Sequence, residues 1–344
     1  MKALDYVAEV STVPIGDILI KYPLAVDYLA NMRLDRIDES KTLPEILENV
    51  DEDILEEFGF DREKVILHFC EFLEAFSQKP DFIETISSIT ILGGRDKAGN
   101  HEMIELTITP GEVVSIVGPT GSGKSRLLED IECLAQRDTP TERQILINGS
   151  VPDFNKRFST GGKLVAQLSQ NMNFVMDLSV QEFLEMHAKS RMISEPSMVV
   201  EKCFEVANSL AGEKFTLDTK VTQLSGGQSR SLMIADTALL SSSPIILIDE
   251  LENAGVDRRE AVKILVGNEK IVLMSTHDPL LALRADKRIV IKNGGVAKVI
   301  ETTEEEELTL RKIEAIDSVL LDIRNQLRGG GFVAKESIPE FQEK

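Results

Sequence analysis

One eight-residue segment narrows the fold more than any bulk property does. "GPTGSGKS", residues 118–125, satisfies the spacing G-x-x-x-x-G-K-[ST] with Gly118, Gly123, Lys124 and Ser125. The stretch before it, "GEVVSIV", reads as a buried strand, and "KSRLLEDIECLA" after it reads as an amphipathic helix. A glycine-rich turn that opens a helix points backbone N–H groups and the helix dipole at an incoming anion. Gly121 and Gly123 let the backbone wrap phosphates where a Cβ would obstruct it. Lys124 can reach the outer phosphates, and the Ser125 hydroxyl can ligate Mg2+, a hard cation that takes oxygen ligands.

Further along, "SSPIILIDELENAGVD" carries a short apolar run, Ile245 to Ile248, as expected of a strand buried on both faces. Asp249 and Glu250 follow where that strand should end. The carboxyl ends of parallel strands face the ligand crevice of an open α/β sheet. Asp249 is therefore expected to hold Mg2+, and Glu250 to polarise an attacking water. "KIVLMSTHDPLLAL" is a third strand, ending near His277, which is placed to contact a terminal phosphate. "LVAQLSQNMNFVMDLSVQEFL" reads as a strand, then Gln170, then a helix starting near Ser179. Gln170 is a candidate metal ligand or water sensor; Gln167 is the competing choice but falls inside the apolar run.

A second anion-binding pattern occurs about a hundred residues after the first. "VTQLSGGQSRSLMIAD" places Leu224, Ser225, Gly226, Gly227 and Gln228 just ahead of a helical pattern through Leu232, Met233, Ala235 and Ala238. Ser225 sits at the N-cap position.

Taken together these segments resemble the ATP-binding cassette ATPases. The match runs from about Ile89 to Ile300, roughly 60 % of the chain. Gly118, Pro119, Thr120, Gly121, Ser122, Gly123, Lys124 and Ser125 look like the Walker A motif, and Gln170 like the Q-loop glutamine. LSGGQ (224–228) looks like the signature, Ile245 to Glu250 like Walker B with the catalytic glutamate, residues 254–257 with Asp257 like the D-loop, and His277 like the switch histidine. In that family the signature of one subunit faces the Walker A of another. The resemblance implies two ATP molecules held between two chains, with Leu224 to Gln228 and Asp257 acting in trans. It also implies Mg2+ held by Ser125, Gln170 and Asp249, and an ATP-driven homodimer that hydrolyses ATP.

Three places depart from the family pattern. The D-loop's usual Ser-Ala-Leu-Asp is loosened to Ala254-Gly255-Val256-Asp257. Arg126 stands where a threonine usually follows the P-loop serine; its guanidinium is a candidate phosphate contact. The region about 25 residues before Gly118, "ITILGGRDKAGN", lacks the aromatic residue that usually stacks on adenine. Such stacking is worth about 1–3 kcal/mol per base, so adenine is expected to be held more weakly or by another residue.

Composition limits what the cassette can act on. The formal charge is −20, which opposes the phosphate backbone that dominates nucleic-acid affinity, so no nucleic-acid partner is expected. Three cysteines, Cys70, Cys133 and Cys203, follow no metal-ligand spacing and read as buried thiols of a reducing, cytoplasmic compartment. No apolar run approaches a membrane span of ~18–20 residues.

The expected architecture is α/β. A small acidic all-helical N-terminal domain (1–85) precedes a P-loop cassette (86–300) with a small helical subdomain at about 171–235. A C-terminal helix and tail (301–344) follow. Residues 1–85 carry 8 basic and 20 acidic side chains. Ile66, Phe69, Cys70, Leu73 and Phe76 make one apolar helix face, and Pro23, Pro44 and Gly59 interrupt the pattern. "VPIGDILIKYPLAVDYLANMRLD" is similar to part of a small helical domain of redox-associated proteins in anaerobes, without that domain's cysteine pair. This region is either a packing extension or a partner-docking domain. In the C-terminal helix Leu310, Ile313, Ile316, Leu320, Ile323 and Leu327 form a stripe that can pack on the cassette or on a second copy. Two functions fit. The first is a soluble ATPase that remodels or energises a protein partner such as a metalloenzyme. The alternative is the ATP-binding subunit of a membrane transporter whose permease spans lie on another chain.

Overall fold

The computed structural model describes residues 3–22, 25–34, 37–50, 61–77, 86–153, 157, 163–169, 174–191, 193, 196–250, 256–267 and 269–333. The chain forms two compact units, Met1–Glu84 and Thr85–Lys344.

In the first unit the helices are Ala3–Thr12, Ile15–Lys21, Ala25–Asn31, Leu43–Leu47 and Arg62–Ser77. Val65, Phe69, Cys70 and Leu73 are buried on the last of these, with Ile66 partly buried beside them. They share a core with Tyr6, Val10, Ile15, Leu29 and Leu43. The Phe76 side chain, Pro23 and Gly59 lie outside the described residues. Pro44 does not interrupt a helix. It sits in the first turn of Leu43–Leu47, where its missing N–H has no partner to lose. Thr42 and Glu45 cap that turn: the Glu45 carboxylate accepts from Thr42 N at 2.9 Å.

The second unit contains two sheets. The smaller one is antiparallel and is built from β1 (Ile89–Leu92), β2 (Glu105–Ile108) and β4 (Gln144–Ile147), in the order β2-β1-β4. The larger one is built from β3 (Val113–Val117), β5 (Val165–Leu168), β6 (Ile245–Asp249), β7 (Ile271–Ser275), β8 (Lys287–Lys292) and β9 (Gly295–Glu301). Its order is β5-β6-β7-β3-β8-β9, and all its pairings are parallel except β8 with β9.

The period of two along the central strands splits them between two cores. Ile245, Leu247, Ile271 and Leu273 face one core, shared with β1, β4 and helix Lys124–Glu132. Ile246, Ile248, Val272 and Met274 face the other, shared with helices Gly226–Leu239 and Arg258–Val266. Strands covered on both faces have no polar face to show, which is why they read as unbroken apolar runs.

A helical cluster forms a third core from Val180–Ser190, Pro196–Leu210 and part of Gly226–Leu239. Cys203 is buried in it and Cys70 in the first unit's core, but Cys133, expected to be buried, is exposed where helix Lys124–Glu132 ends and its last turn meets solvent. Helix Gly226–Leu239 belongs to two cores: Leu232 and Ala235 face the helical cluster, Ile234 and Ala238 the sheet. It thus joins the helical cluster to the sheet. Its far end is closed by Lys270, whose Nζ donates to Thr237 O at 3.0 Å and Ser241 O at 2.7 Å. Burial pulls that ammonium down to about 8.

The C-terminal helix, Glu304–Arg328, starts on four glutamates that suit the helix dipole. It is tied to the cassette by ion pairs, Glu306 with Arg288 at 2.5 Å and Glu314 with Arg284. None of its six stripe residues is buried, and Ile316, Leu320 and Leu327 are exposed. Residues after 333 lie outside the described set. No helix among the described residues is long and apolar enough to cross a membrane.

Candidate functional site

The P-loop leaves β3 and enters helix Lys124–Glu132 as the spacing predicts. Two of its glycines meet the backbone directly. Gly118 has φ +154°, and a Cβ there would stand 2.4 Å from Ile291 O. Gly123 caps the helix at φ +110°, and its Cβ would meet Gly294 Cα at 3.0 Å. The turn at Gly294 also accepts the loop, its N–H donating to Ser122 O at 2.7 Å. Ser122 is buried, and its Oγ has no hydrogen-bond partner among the described residues. A curled loop with free backbone N–H groups and an unsatisfied buried hydroxyl fits a phosphate chain.

The sheet order decides which side chains converge. β7 lies between the P-loop strand β3 and the acidic strand β6, so His277 emerges between Lys124 and Glu250. Its Nε2 is 3.3 Å from Lys124 Nζ and 3.4 Å from Glu250 Oε1. One ring nitrogen serves only one of these at a time: unprotonated it accepts from Lys124, protonated it donates to Glu250. Lys124 also donates to Gly118 O at 3.0 Å and Pro119 O at 3.4 Å, so its ammonium folds back over the loop. His277 is held by its neighbours. Thr276 is buried, and Asp278 caps helix Pro279–Arg284 and pairs with Arg258.

Ser125 Oγ lies 3.5 Å from Asp249 Oδ2, bringing the expected hydroxyl and carboxylate together. No described group of three or more His, Cys, Asp or Glu side chains could hold a metal. Two protein oxygens suit Mg2+, which keeps waters and substrate oxygens rather than filling an all-protein cage. Gln170, the third expected ligand, lies outside the described residues, as do Ala254 and Gly255. Gln167 sits within β5, its amide facing the Glu132 carboxylate on the P-loop helix. Pro119 and Thr120 are exposed on the loop. Arg126 points along the helix surface and pairs with Glu129 at 2.8 Å. That pairing engages the guanidinium outside the loop.

The LSGGQ segment is a capped helix start. Ser225 N donates to Gln228 Oε1 at 2.9 Å, and Gln228 N donates to Ser225 Oγ at 3.4 Å, a capping box. Gln228 Nε2 reaches Glu213 O at 3.3 Å, fixing the turn to the helical cluster, on which Leu224 also packs. Ser225 and Gly226 are exposed, and a Cβ at Gly226 would meet nothing within 4 Å. Among the described residues no hydrogen bond or ion pair joins residues 118–125 to 224–228. Asp257 caps helix Arg258–Val266, accepting from Arg259 N at 3.0 Å and Glu260 N at 3.1 Å.

Three contributors carry no signal in the sequence. Lys97, in the loop without an aromatic, donates from Nζ to Gly121 O at 2.8 Å, so a cation stands against the P-loop there. Arg143 is fully buried behind the loop. It donates to both Glu102 oxygens, to Asp130 Oδ2 at 2.9 Å and to Gly294 O at 2.8 Å. Burial would raise the Glu102 carboxyl, yet Arg143 and the N–H groups of Gly94 and Val296 hold it below its ordinary value. The third is Arg230, buried on helix Gly226–Leu239. A lysine in a turn, or an arginine in a polar stretch, carries no pattern that marks burial or a partner.

Comparisons with known proteins identify the family. The family model described as "ABC transporter" matches residues 101–253. The chain is 54% identical over 254 residues to an uncharacterized ABC transporter ATP-binding protein of Methanocaldococcus jannaschii, covering 74% of this chain and 97% of that one. It is 32% identical over 227 residues to the macrolide export ATP-binding/permease protein MacB of Brucella abortus, covering 62% of this chain. The match spans only 34% of that relative's own length. Among solved structures, a dimeric ATP-binding cassette with ADP and Pi, in a post-hydrolysis state, aligns with TM-score 0.49 and 27% identity. That alignment covers 62% of this chain and 99% of that one. With the P-loop, the LSGGQ helix start and the paired acidic strand end in one α/β unit, and a relative matched over nearly its whole length, the chain belongs to the ATP-binding cassette family.

Proposed function

We propose that this chain hydrolyses ATP as half of a head-to-tail homodimer and drives a partner permease chain. The observation that carries the ATPase half is the convergence of Lys124, His277 and Glu250 within 3.4 Å contacts at the ends of adjacent strands. Lys124 and the loop N–H groups hold the outer phosphates, the ammonium leaving its hydrogen bonds to the Gly118 and Pro119 carbonyls. Ser125 and Asp249, with Gln170, would hold Mg2+, which would supply positive charge to offset that of the phosphate oxygens. Glu250 takes a proton from the attacking water, and His277 steadies the terminal phosphate beside it. The Ser225–Gln228 turn, exposed at Ser225 and Gly226, serves the ATP bound by the other chain, with Asp257 at the same boundary.

The partner assignment rests on the relatives. Their printed descriptions are of an ABC transporter ATP-binding protein and an ATP-binding/permease protein. They favour the transporter alternative over the energising of a metalloenzyme, which nothing in the site supports. On this assignment the membrane spans lie on the partner chain, and this chain stays on the cytoplasmic side.

One experiment tests both halves. Lys124→Ala should lose about 10–10²-fold in Mg·ATP affinity by calorimetry, the size of one charge-assisted hydrogen-bond set. ATP-loaded Glu250→Gln protein should fractionate with membranes and bring a permease chain with it, and Lys124→Ala should not. Unchanged ATP affinity in Lys124→Ala would remove the ATP-site reading. Recovery of the loaded protein wholly with soluble partners would remove the permease reading.

A further inference from the structure

Arg230 sits on the helix that begins at Ser225, and it is 5% exposed. Its Nη1 donates to the carbonyl of Glu250 at 2.6 Å, and its Nη2 donates to the carbonyl of Ser169 at 3.0 Å. Both acceptors are the first residues past neighbouring strands: Ser169 follows β5 and Glu250 follows β6. A buried guanidinium spanning two strand ends is a specific brace, because its planar fork fixes both carbonyls at once.

Glu250 needs a brace. Its φ is +51°, in the left-handed region that a residue with a Cβ adopts only under strain. The N–H of Glu250 donates to Ser275 O on β7 at 3.1 Å, so the peptide before Glu250 is anchored. Arg230 anchors the peptide after it. Without the second anchor the residue is expected to relax toward an ordinary backbone conformation. The carboxylate would then swing away from His277.

We propose that Arg230 is a positioning residue for hydrolysis, holding Glu250 in its left-handed conformation so that its carboxylate faces the P-loop. The proposal rests on the assignment of Glu250 as the proton acceptor. It ties helix Gly226–Leu239 to both ATP sites. Ser225 opens the helix toward a second chain's nucleotide, and Arg230 fixes Glu250 in its own chain.

The test is a double-variant cycle of Arg230→Lys with Glu250→Gln, read as kcat, KM and ATP affinity. A lysine keeps the charge but offers one nitrogen where the guanidinium offers two in a fixed plane, so it cannot hold both carbonyls at the arginine's spacing. Arg230→Lys should lower kcat by about 10²-fold, as for a displaced catalytic group, with ATP affinity within about twofold of wild type because the P-loop is untouched. In the Glu250→Gln background the same change should alter the residual rate by less than about twofold, since the group it positions is gone. Arg230→Gln, whose amide stops short of the guanidinium's end nitrogens and so reaches neither carbonyl, should slow kcat at least as much as the lysine, giving a second variant should the lysine fold poorly. Equal slowing in both backgrounds, or an unchanged kcat in Arg230→Lys, would overturn the inference alone. Wild-type turnover in Glu250→Gln would overturn the assignment of Glu250, and the inference with it.

Discussion

Glu250→Gln should lower ATP turnover by about 10²–10⁴-fold while ATP binding persists, the usual span for losing a general base. Glutamine keeps the shape and the polar contact to His277 but cannot accept a proton. The effect should fall on kcat, because Glu250 makes none of the P-loop's phosphate contacts. Single-turnover phosphate release checks this, with calorimetry as the control on binding. Near-normal turnover would move the base elsewhere. Gln170, expected close to the metal, would then come up for review.

The largest expected effect on stability lies behind the loop. Arg143→Met should destabilise the cassette unit by about 3–5 kcal/mol, the loss typical of breaking a buried ion pair from one side. Arg143, Glu102 and Asp130 have side chains exposed by 0%, 2% and 1%, so both carboxylates would be left without their cation and without water. Asp130 would keep the Thr141 hydroxyl, and Glu102 would keep the N–H groups of Gly94 and Val296. Those bonds make Glu102 hard to replace. An apolar residue there would orphan two backbone donors, so swapping the whole network for apolar side chains should not restore stability. Urea unfolding followed on the cassette unit measures the shift; a change under about 1 kcal/mol would mean the network is worth no more than an exposed pair. Because Arg143 also donates to Gly294 O, and Gly294 N to Ser122 O, the P-loop should loosen in the same variant.

The parts of this site that were legible in the sequence are those whose chemistry is local. A glycine that must adopt a positive φ, a lysine next to a serine at a helix start, and a serine three residues before a glutamine each carry their reason in a few residues. The Ser225–Gln228 capping box is such a case, because both partners lie within one helical turn. The strand order was not local. The apolar runs of β3, β6 and β7 look alike, and nothing in them says that β7 lies between the other two. That order alone puts His277 between Lys124 and Glu250. Buried arginines were invisible for a related reason: Arg143 and Arg230 stand among polar neighbours, and their partners are carbonyls and carboxylates from distant segments. The C-terminal stripe is visible as a pattern, but a pattern does not state what covers it, and in this structure its residues remain half-exposed or exposed.

The central claim is that each ATP is held by the P-loop of one chain and the Ser225 turn of another. Ser225→Arg places a bulky cation at that turn and leaves its own P-loop intact, so the variant should bind Mg·ATP but lose turnover. Lys124→Ala should also be inactive. Mixed together, the two pair an intact Lys124 with an intact Ser225 at one of the two sites. The decisive measurement is phosphate release from each variant alone and from the mixture. Neither variant alone should release phosphate, and the mixture should recover part of the turnover. Wild-type turnover from Ser225→Arg on its own would contradict the claim.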